Sequence, residues 1–75
     1  MAENLNPNNK SHKTVKALWI RNLAVGSRAV FFDIEEGVVK QTSGIVQINT
    51  IHRGKDFACF ETENAIYSVS GQILN

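Results

Sequence analysis

Histidine, cysteine and clustered carboxylates are the side chains of this 75-residue chain that could carry out chemistry. His52 and Cys59 are close enough in sequence for an imidazole and a thiol to meet across a hairpin. A cysteine nucleophile also needs a third group to orient its base, and the sequence shows no candidate for that role. A single cysteine between alanine and phenylalanine is more often a small buried hydrophobic residue. We therefore predict that the protein is not an enzyme.

Asp33, Glu35 and Glu36 form a cluster of carboxylates at a predicted turn. A hard cation such as calcium requires about six oxygen ligands in a loop built to hold it. This turn offers three carboxylates at most, so a solvated turn is the better interpretation. The two histidines and the single cysteine are too widely separated for the ligand spacing of a zinc site. We expect no metal and no other cofactor.

The length of the chain allows one small domain. Residues 1–12 are rich in asparagine, contain the only proline and show no apolar period, so we predict a flexible polar tail there. Residues 13–75 are left to form a single β domain. A domain of about 60 residues buries only ~60% of its unfolded surface and is marginally stable. Without disulfides or a metal, association with a partner is the remaining source of stability.

The surroundings of the protein can also be predicted from the sequence. A lone thiol is typical of a reducing compartment. The N-terminus has no basic start followed by an apolar stretch, so we expect no secretory signal. No apolar run approaches the ~18 residues that a membrane span needs. We expect a cytoplasmic protein that does not contact a membrane.

Alternating apolar and polar residues from 28 to 70 indicate β-strands. The predicted strands are listed in chain order: 28–34, 38–51, 57–62 and 65–70. Glu35-Glu36-Gly37 is a hairpin loop in which glycine takes the left-handed conformation. Ser43-Gly44 predicts a sharp bend inside the second of these strands, because glycine within a strand usually marks a bulge or bend. Glu63-Asn64 reads as a two-residue turn.

Residues 13–25 fit two secondary structures. As a strand, this segment has two faces, one with Val15, Ala17 and Trp19 and the other with Lys16, Leu18 and Ile20. As a helix, with Ser11 as its N-cap, it has one face with Val15, Leu18, Trp19 and Leu23. Short apolar runs do not distinguish a strand from a helix by periodicity alone. The β pattern downstream favours a strand at 14–21, with the helix as the alternative.

Five strands joined by short hairpins predict an all-β fold, either a small five-stranded SH3-like barrel or a strongly twisted antiparallel meander. The segment from Leu23 to Phe31, with its Val25-Gly26 pair, resembles the segment that leads into the first strand of many small SH3-like barrels. Thr42-Ser43 and residues 62–67 are similar to parts of short bacterial and phage-type proteins. The resemblance covers about half of the chain. It implies an architecture and transfers no functional residue.

The charge distribution raises the possibility of nucleic-acid binding. Residues 1–30 carry a net charge of +4 and residues 31–75 carry −3. Small barrels bind single-stranded nucleic acid by combining a basic groove with exposed aromatic side chains. The candidate residues for this alternative are Lys13, Lys16, Trp19, Arg21, Arg28, Arg53 and Lys55.

Protein binding is the leading interpretation. Strand edges with few charges pair readily with another strand, and exposed aromatic residues act as anchors in protein interfaces. The candidate residues are Phe31, Tyr67, Gln47 and Asn49. We expect a non-catalytic adaptor, inhibitor or self-assembling module whose partner is another protein, a second copy of the chain, or both. A third possibility is a small molecule or nucleotide bound between protomers.

Overall fold

A computed structural model describes residues 10–74, and most of the predicted tail at 1–12 lies outside this range. The strands are β1 (Ser11–Arg21), β2 (Arg28–Asp33), β3 (Val38–His52), β4 (Phe57–Thr62) and β5 (Ala65–Ile73). A single 3₁₀ turn, Arg53–Lys55, connects β3 to β4. No helix within residues 10–74 is long and apolar enough to cross a membrane. The predicted all-β fold is confirmed.

The five strands close into a barrel in the order β1-β2-β3-β4-β5. Consecutive strands are antiparallel, whereas β1 and β5 pair in parallel and complete the ring. Parallel closure follows from the connectivity, because the first and fifth strands of a meander run in the same direction. The described residues therefore form a closed barrel, which is compatible with the SH3-like type, rather than an open twisted sheet.

β1 is a strand throughout, which decides between the two structures predicted for this segment. It begins at Ser11, earlier than the predicted start, because Ser11 and His12 pair with Ala65 and Ile66 of β5. These first two residues therefore belong to the barrel and not to the tail. The pairing is irregular between Ala17 and Ile20, where β1 contains a bulge against β2.

The hairpin between β2 and β3 forms where it was predicted. Gly37 has a φ of +70°, a conformation that favours glycine, and its N–H donates to the carbonyl oxygen of Asp33 at 2.7 Å. The Oδ1 atom of Asp33 accepts the N–H groups of Glu35 and Glu36 at 2.9 and 3.1 Å. Lys40 completes the turn through ion pairs with the carboxylates of Asp33 and Glu36. The side chain of Asp33 thus contacts both the turn and Lys40 near the start of β3.

β3 contains 15 residues and is shared between two parts of the barrel. Its first half pairs with β2, from Val38 to Gly44, and its second half pairs with β4, from Ile45 to His52. The change of partner occurs at Gly44, the residue at which a bend was predicted. Two bulges in the second half increase the twist of the strand.

Alternate residues of β2 and β4 point into a small apolar core, whereas bulges interrupt this alternation in β1 and β3. The largest fully buried side chains are Phe60, Ile20, Ile45 and Val69. The Tyr67 ring stacks on Phe60 with a centroid distance of 5.1 Å and an interplanar angle of 11°. A few large side chains therefore fill the core. One of them, Phe60 of β4, makes an aromatic contact with Tyr67 of β5.

Candidate binding surface

The orientation of β2 decides which of its residues can meet a partner. Ala29, Phe31 and Asp33 are all buried, so this alternate set faces the inside of the barrel. The other set, which includes Phe32 and the following residue Ile34, faces outward. Phe32 is half-buried and Ile34 is 53% exposed, so the outside of β2 presents apolar surface.

The strands on both sides of β2 extend this surface. Val39 of β3 lies opposite Phe32 in the register and is 57% exposed. On β1, the carbonyl oxygen of Lys16 accepts the N–H of Ile34, which places the outward residue Leu18 beside Phe32. Leu18 is also 57% exposed. We call Leu18, Phe32, Ile34 and Val39 the apolar face.

Trp19 adds an aromatic ring beside this face. The bulge in β1 sets two residues, Leu18 and Trp19, against the single residue Phe32 of β2. Trp19 is half-buried, and the guanidinium carbon of Arg21 lies 5.6 Å from the centroid of its ring. This distance is within the range of a cation–π contact, which holds the arginine over the indole.

Three cations border the apolar face. Lys16 and Arg21 are exposed on β1, and Arg28 is exposed at the start of β2. The Nε atom of Arg28 donates to the carbonyl oxygen of Thr42 at 2.8 Å, which fixes its side chain against β3. Among residues 10–74, the ion pairs that form are those of Lys10 and Lys40, so these three cations have no ionic partner there.

The outer surface of β3, β4 and β5 has a different character. Glu61 accepts hydrogen bonds from the Lys10 ammonium and from Nδ2 of Asn49, both at 3.0 Å. Gln47 donates from Nε2 to Oδ1 of Asn49 at 2.6 Å. The hydrogen bond from Asn49, and then that from Lys10, lowers the pKa of Glu61 below its ordinary value. Gln47 and Asn49, both predicted to bind protein, are thus engaged in an internal polar network.

The two aromatic residues predicted as protein contacts occupy other positions. Phe31 is only 3% exposed and belongs to the core, so the expectation that it contacts a partner is wrong. The reason is the inward direction of its alternate set in β2, which leaves its neighbour Phe32 outside. Tyr67 is half-buried and uses one face of its ring against Phe60.

The residues predicted to bind nucleic acid lie on several elements of the barrel. Lys13 shares the side of β1 that carries the core residue Ala17, whereas Lys16 lies on the opposite side. Arg53 and Lys55 are exposed on the 3₁₀ turn after β3, and the next residue, Asp56, accepts the N–H of Gly71 in β5. The structure groups only part of the predicted set, namely Lys16, Trp19, Arg21 and Arg28, around the apolar face.

The side chains considered for chemistry are also placed. Cys59 is half-buried, and its Sγ atom accepts weak hydrogen bonds from Asn49 at 3.7 Å and Ser68 at 3.9 Å. The register sets Thr50 opposite Cys59 and Phe57 opposite His52, so the thiol and the imidazole are not cross-strand partners. Residues 10–74 contain no group of three or more potential metal ligands, and no pocket opens on their surface.

Leu18, Ile34 and Val39 were not identified as site residues from the sequence. Alternation along β2 does group Ile34 with Phe32, so that part of the face was detectable. The contribution of Leu18 depends on the bulge in β1, for which the sequence contains no glycine or other marker. No protein-family model, curated protein or solved structure matches this chain.

Proposed function

We propose that this protein is a non-catalytic binding module that docks another protein on its apolar face. One observation carries the proposal: three exposed aliphatic side chains surround a half-buried phenylalanine across three adjacent strands. Single exposed apolar residues are common on proteins, but a contiguous cluster is typical of interaction sites. The neighbouring Trp19 and Arg21 belong to the residue types that most often act as interface anchors.

The border of the face indicates the chemistry of the partner. Three cations border the apolar residues, whereas Glu35, exposed in the turn directly after Ile34, is the one neighbouring carboxylate without an ion pair among residues 10–74. A partner that supplies carboxylates around an apolar centre would neutralise these cations. Two copies docked face to face would instead bring like charges together, which is unfavourable. We therefore favour an acidic partner protein over the self-association that the sequence also predicted.

Three finer expectations belong to the same proposal. The barrel is of the SH3-like type, because a bent β3 shared between two sets of partners is the usual way to curl so short a sheet. The half-buried free thiol of Cys59 fits a reducing compartment, so the protein acts in the cytoplasm. The resemblance of its turns to short bacterial and phage-type proteins favours an origin of that kind.

The proposal can be tested with peptides selected from a random display library on the full chain. The library is first incubated with a double variant, Leu18→Asp and Val39→Asp, which charges the apolar face. Peptides that bind this variant are discarded. We expect the peptides that remain to combine apolar residues with Asp or Glu. Their affinity, measured by isothermal titration calorimetry, should fall at least tenfold on the variant, because a buried apolar contact is replaced by an unpaired charge.

A control variant introduces an aspartate at a strand position outside the apolar face. Thr50→Asp charges an exposed strand position of β3 that faces away from β2. Peptide affinity should stay within twofold on this control. Failure to select any peptide that distinguishes the native chain from the Leu18→Asp, Val39→Asp variant would contradict the proposal, provided that both variants melt as folded proteins.

Binding of single-stranded nucleic acid is the second candidate, favoured by the stacking of Arg21 over Trp19. Base stacking on an aromatic ring beside a cation is the usual mode of such binding. A fluorescent oligothymidylate of about 20 nucleotides provides the test, with its anisotropy followed between about 50 and 200 mM salt. This function predicts a steep loss of affinity with salt, and a slope reduced by about one on Arg21→Ala. Protein binding through the apolar face predicts much weaker dependence.

A further inference from the structure

The first half of β3 has a neighbour on only one side. Val38 to Gly44 pair with β2, whereas β4 pairs with β3 only from Ile45 onward. Among residues 10–74, no strand therefore covers the second side of Val38–Ser43. We call this segment the free edge of β3, and its residue Val39 is part of the apolar face.

The directions of the backbone groups on this edge follow from two hydrogen bonds. The N–H of Ile34 points to β1, where it reaches Lys16, and the N–H of Ala29 points to Thr42 of β3. Backbone groups alternate in direction along a strand, so the N–H and C=O groups of Phe31 and Asp33 also point to β3. Their register partners are Lys40 and Val38, which must direct their own groups to β2.

The backbone groups of the two residues on either side of Lys40 point the other way. Val39 and Gln41 therefore direct their N–H and C=O groups out of the barrel, along the free edge. Two donors and two acceptors at alternate positions are what an added strand requires. The free edge thus offers backbone bonds at the same place where the apolar face offers side-chain contacts.

The free edge also has little protection against pairing. It contains no proline, and its one charged residue, Lys40, is held by Asp33 at 3.4 Å and Glu36 at 2.9 Å. Exposed strand edges in proteins are normally blocked by prolines, unpaired charges or bulges. The register of β3 against β2 shifts between Arg28 and Val30, so β3 contains a bulge at Thr42 and Ser43. Val38 to Gln41 pair with β2 without a bulge, so this part of the edge lacks that protection.

We infer that the partner binds as an extended segment that adds a sixth strand to the barrel along the free edge of β3. This inference rests on the proposed function and specifies how the partner is held. Alternate side chains of the added strand would lie beside Val39 on the apolar face, where apolar residues fit. Arg28, fixed at the neighbouring Thr42, favours a carboxylate near that end of the segment.

A second copy of this chain is a poorer occupant than an acidic segment. Symmetric pairing of two free edges would bring both copies of Arg28 and Lys40 to one seam. The acidic residues next to the edge, Asp33 and Glu36, are already bound to Lys40 of their own chain. Glu35, exposed in the turn before β3, has no ion pair among residues 10–74, but each copy would also bring three unpaired cations, those of Lys16, Arg21 and Arg28. Because these cations outnumber the free carboxylate, we favour an acidic segment of a different protein.

Gln41 allows a direct test, because its N–H faces the free edge and not β2. Gln41→Pro removes that donor and places a ring along the edge, where proline is tolerated in native strands. Gln41→Ala is the matched control, since it removes the side chain and keeps the donor. For a peptide selected as above, we expect affinity to fall at least tenfold with proline and to stay within threefold with alanine.

Hydrogen exchange on the native chain gives a second measurement that does not depend on a variant. The amides of Val39 and Gln41 have no internal acceptor among the described residues and should exchange rapidly in the free protein. An added strand should slow both at least tenfold, because its carbonyl groups accept these donors. The amide of Lys40, which is bonded to β2, should change much less.

The outcomes separate this inference from the proposed function. If Leu18→Asp, Val39→Asp abolishes peptide binding but Gln41→Pro and the exchange rates of the edge do not respond, strand addition is wrong and docking on the face stands. If no peptide distinguishes the face variant, both are overturned. A concentration-dependent dimer in sedimentation that Gln41→Pro dissociates would assign the edge to a second copy and overturn the choice of an acidic partner.

Discussion

Two adjacent phenylalanines of β2 have opposite roles because of a single step in the strand. Phe31 is buried in the core, while Phe32 lies half-exposed between Leu18 and Val39. We expect substitution of Phe31 to act on folding and substitution of Phe32 to act on the proposed binding. The distinction matters for any mutational study, since a binding defect in Phe31→Ala would say nothing about the surface.

Asp33 makes the stability of the barrel depend on pH. The carboxylate of Asp33 accepts a hydrogen bond from the backbone N–H of Glu36, which is the main cause that lowers the pKa of Asp33 below its ordinary value. The ammonium group of Lys40 lowers this pKa further. The folded chain therefore binds this proton less tightly than the unfolded chain does. The stabilisation is fully present above the ordinary pKa of about 3.9 and is lost as the pH falls through the lower, folded value.

We predict that the free energy of unfolding falls as the pH is lowered from 7 to about 2, and that Asp33→Asn makes this fall shallower. Urea unfolding at several pH values measures both slopes. Glu61→Gln should remove a second, independent part of the slope, because Glu61 lies on the other side of the barrel. An unchanged slope in Asp33→Asn would show that this turn does not stabilise the fold through its charge.

At the level of the strands, closure between β1 and β5 depends on a small residue. A Cβ atom on Gly71 would lie 2.6 Å from the carbonyl oxygen of Ala17, a contact that backbone atoms cannot relieve easily. Gly71 also donates its N–H to the carbonyl oxygen of Asp56 at 2.8 Å, which anchors β5 to the loop before β4. The close approach of the two strands therefore requires glycine at this position.

Gly71→Ala should destabilise the barrel by about 1–3 kcal/mol, the usual cost of forcing extra volume into a packed site. For a domain of this size, that corresponds to a fall in melting temperature of roughly 4 °C or more. Gly44→Ala is the control, since a Cβ atom there meets nothing within 4 Å. Equal melting temperatures for the two variants would contradict the close packing of β1 on β5.

Local signals predicted most of the strands, and long-range contacts decided the rest. The hairpin at Gly37 was predictable because glycine permits the left-handed conformation that the turn adopts. Gly44 lies where β3 changes its partner, as a glycine within a strand often does. The start of β1 at Ser11 was not predictable, because it depends on pairing with Ala65 at the far end of the chain. The choice of strand over helix for β1 has the same long-range cause.

The candidate site was less predictable than the fold. Alternation separated Phe31 from Phe32 but did not say which of them faced inward, since both faces of β2 are largely apolar. Lys16, Trp19 and Arg21 were identified from composition, yet their position beside Phe32 depends on an unmarked bulge. The unpaired side of β3 became visible only when the extents of β2 and β4 were known.

On the scale of the whole molecule, a closed ring makes every strand depend on the same few core residues. β1 and β5 are the ends of the chain and also neighbours in the barrel, so neither can leave without opening the ring. Domains this small bury a low fraction of their surface and have little stability to lose. The barrel should therefore unfold as one cooperative unit.

Phe60→Ala tests this dependence on the core. Phe60 is fully buried and stacks on Tyr67, so its truncation should cost about 3–5 kcal/mol and lower the melting temperature by roughly 12 °C or more. Such a loss would leave much of the chain unfolded at physiological temperature. Circular dichroism followed during heating measures the effect, and all strands should melt together.

Phe32→Ala provides the matched comparison, since it removes the same ring from the outside of the barrel. Because Phe32 is half-exposed, its truncation should cost only about 1 kcal/mol. Phe60→Ala should thus lose its fold. Phe32→Ala should keep its fold and lose affinity for the selected peptides. Comparable melting temperatures for the two would mean that Phe32 supports the barrel as much as Phe60 does, and the apolar face would then be part of the structural core rather than a surface for binding.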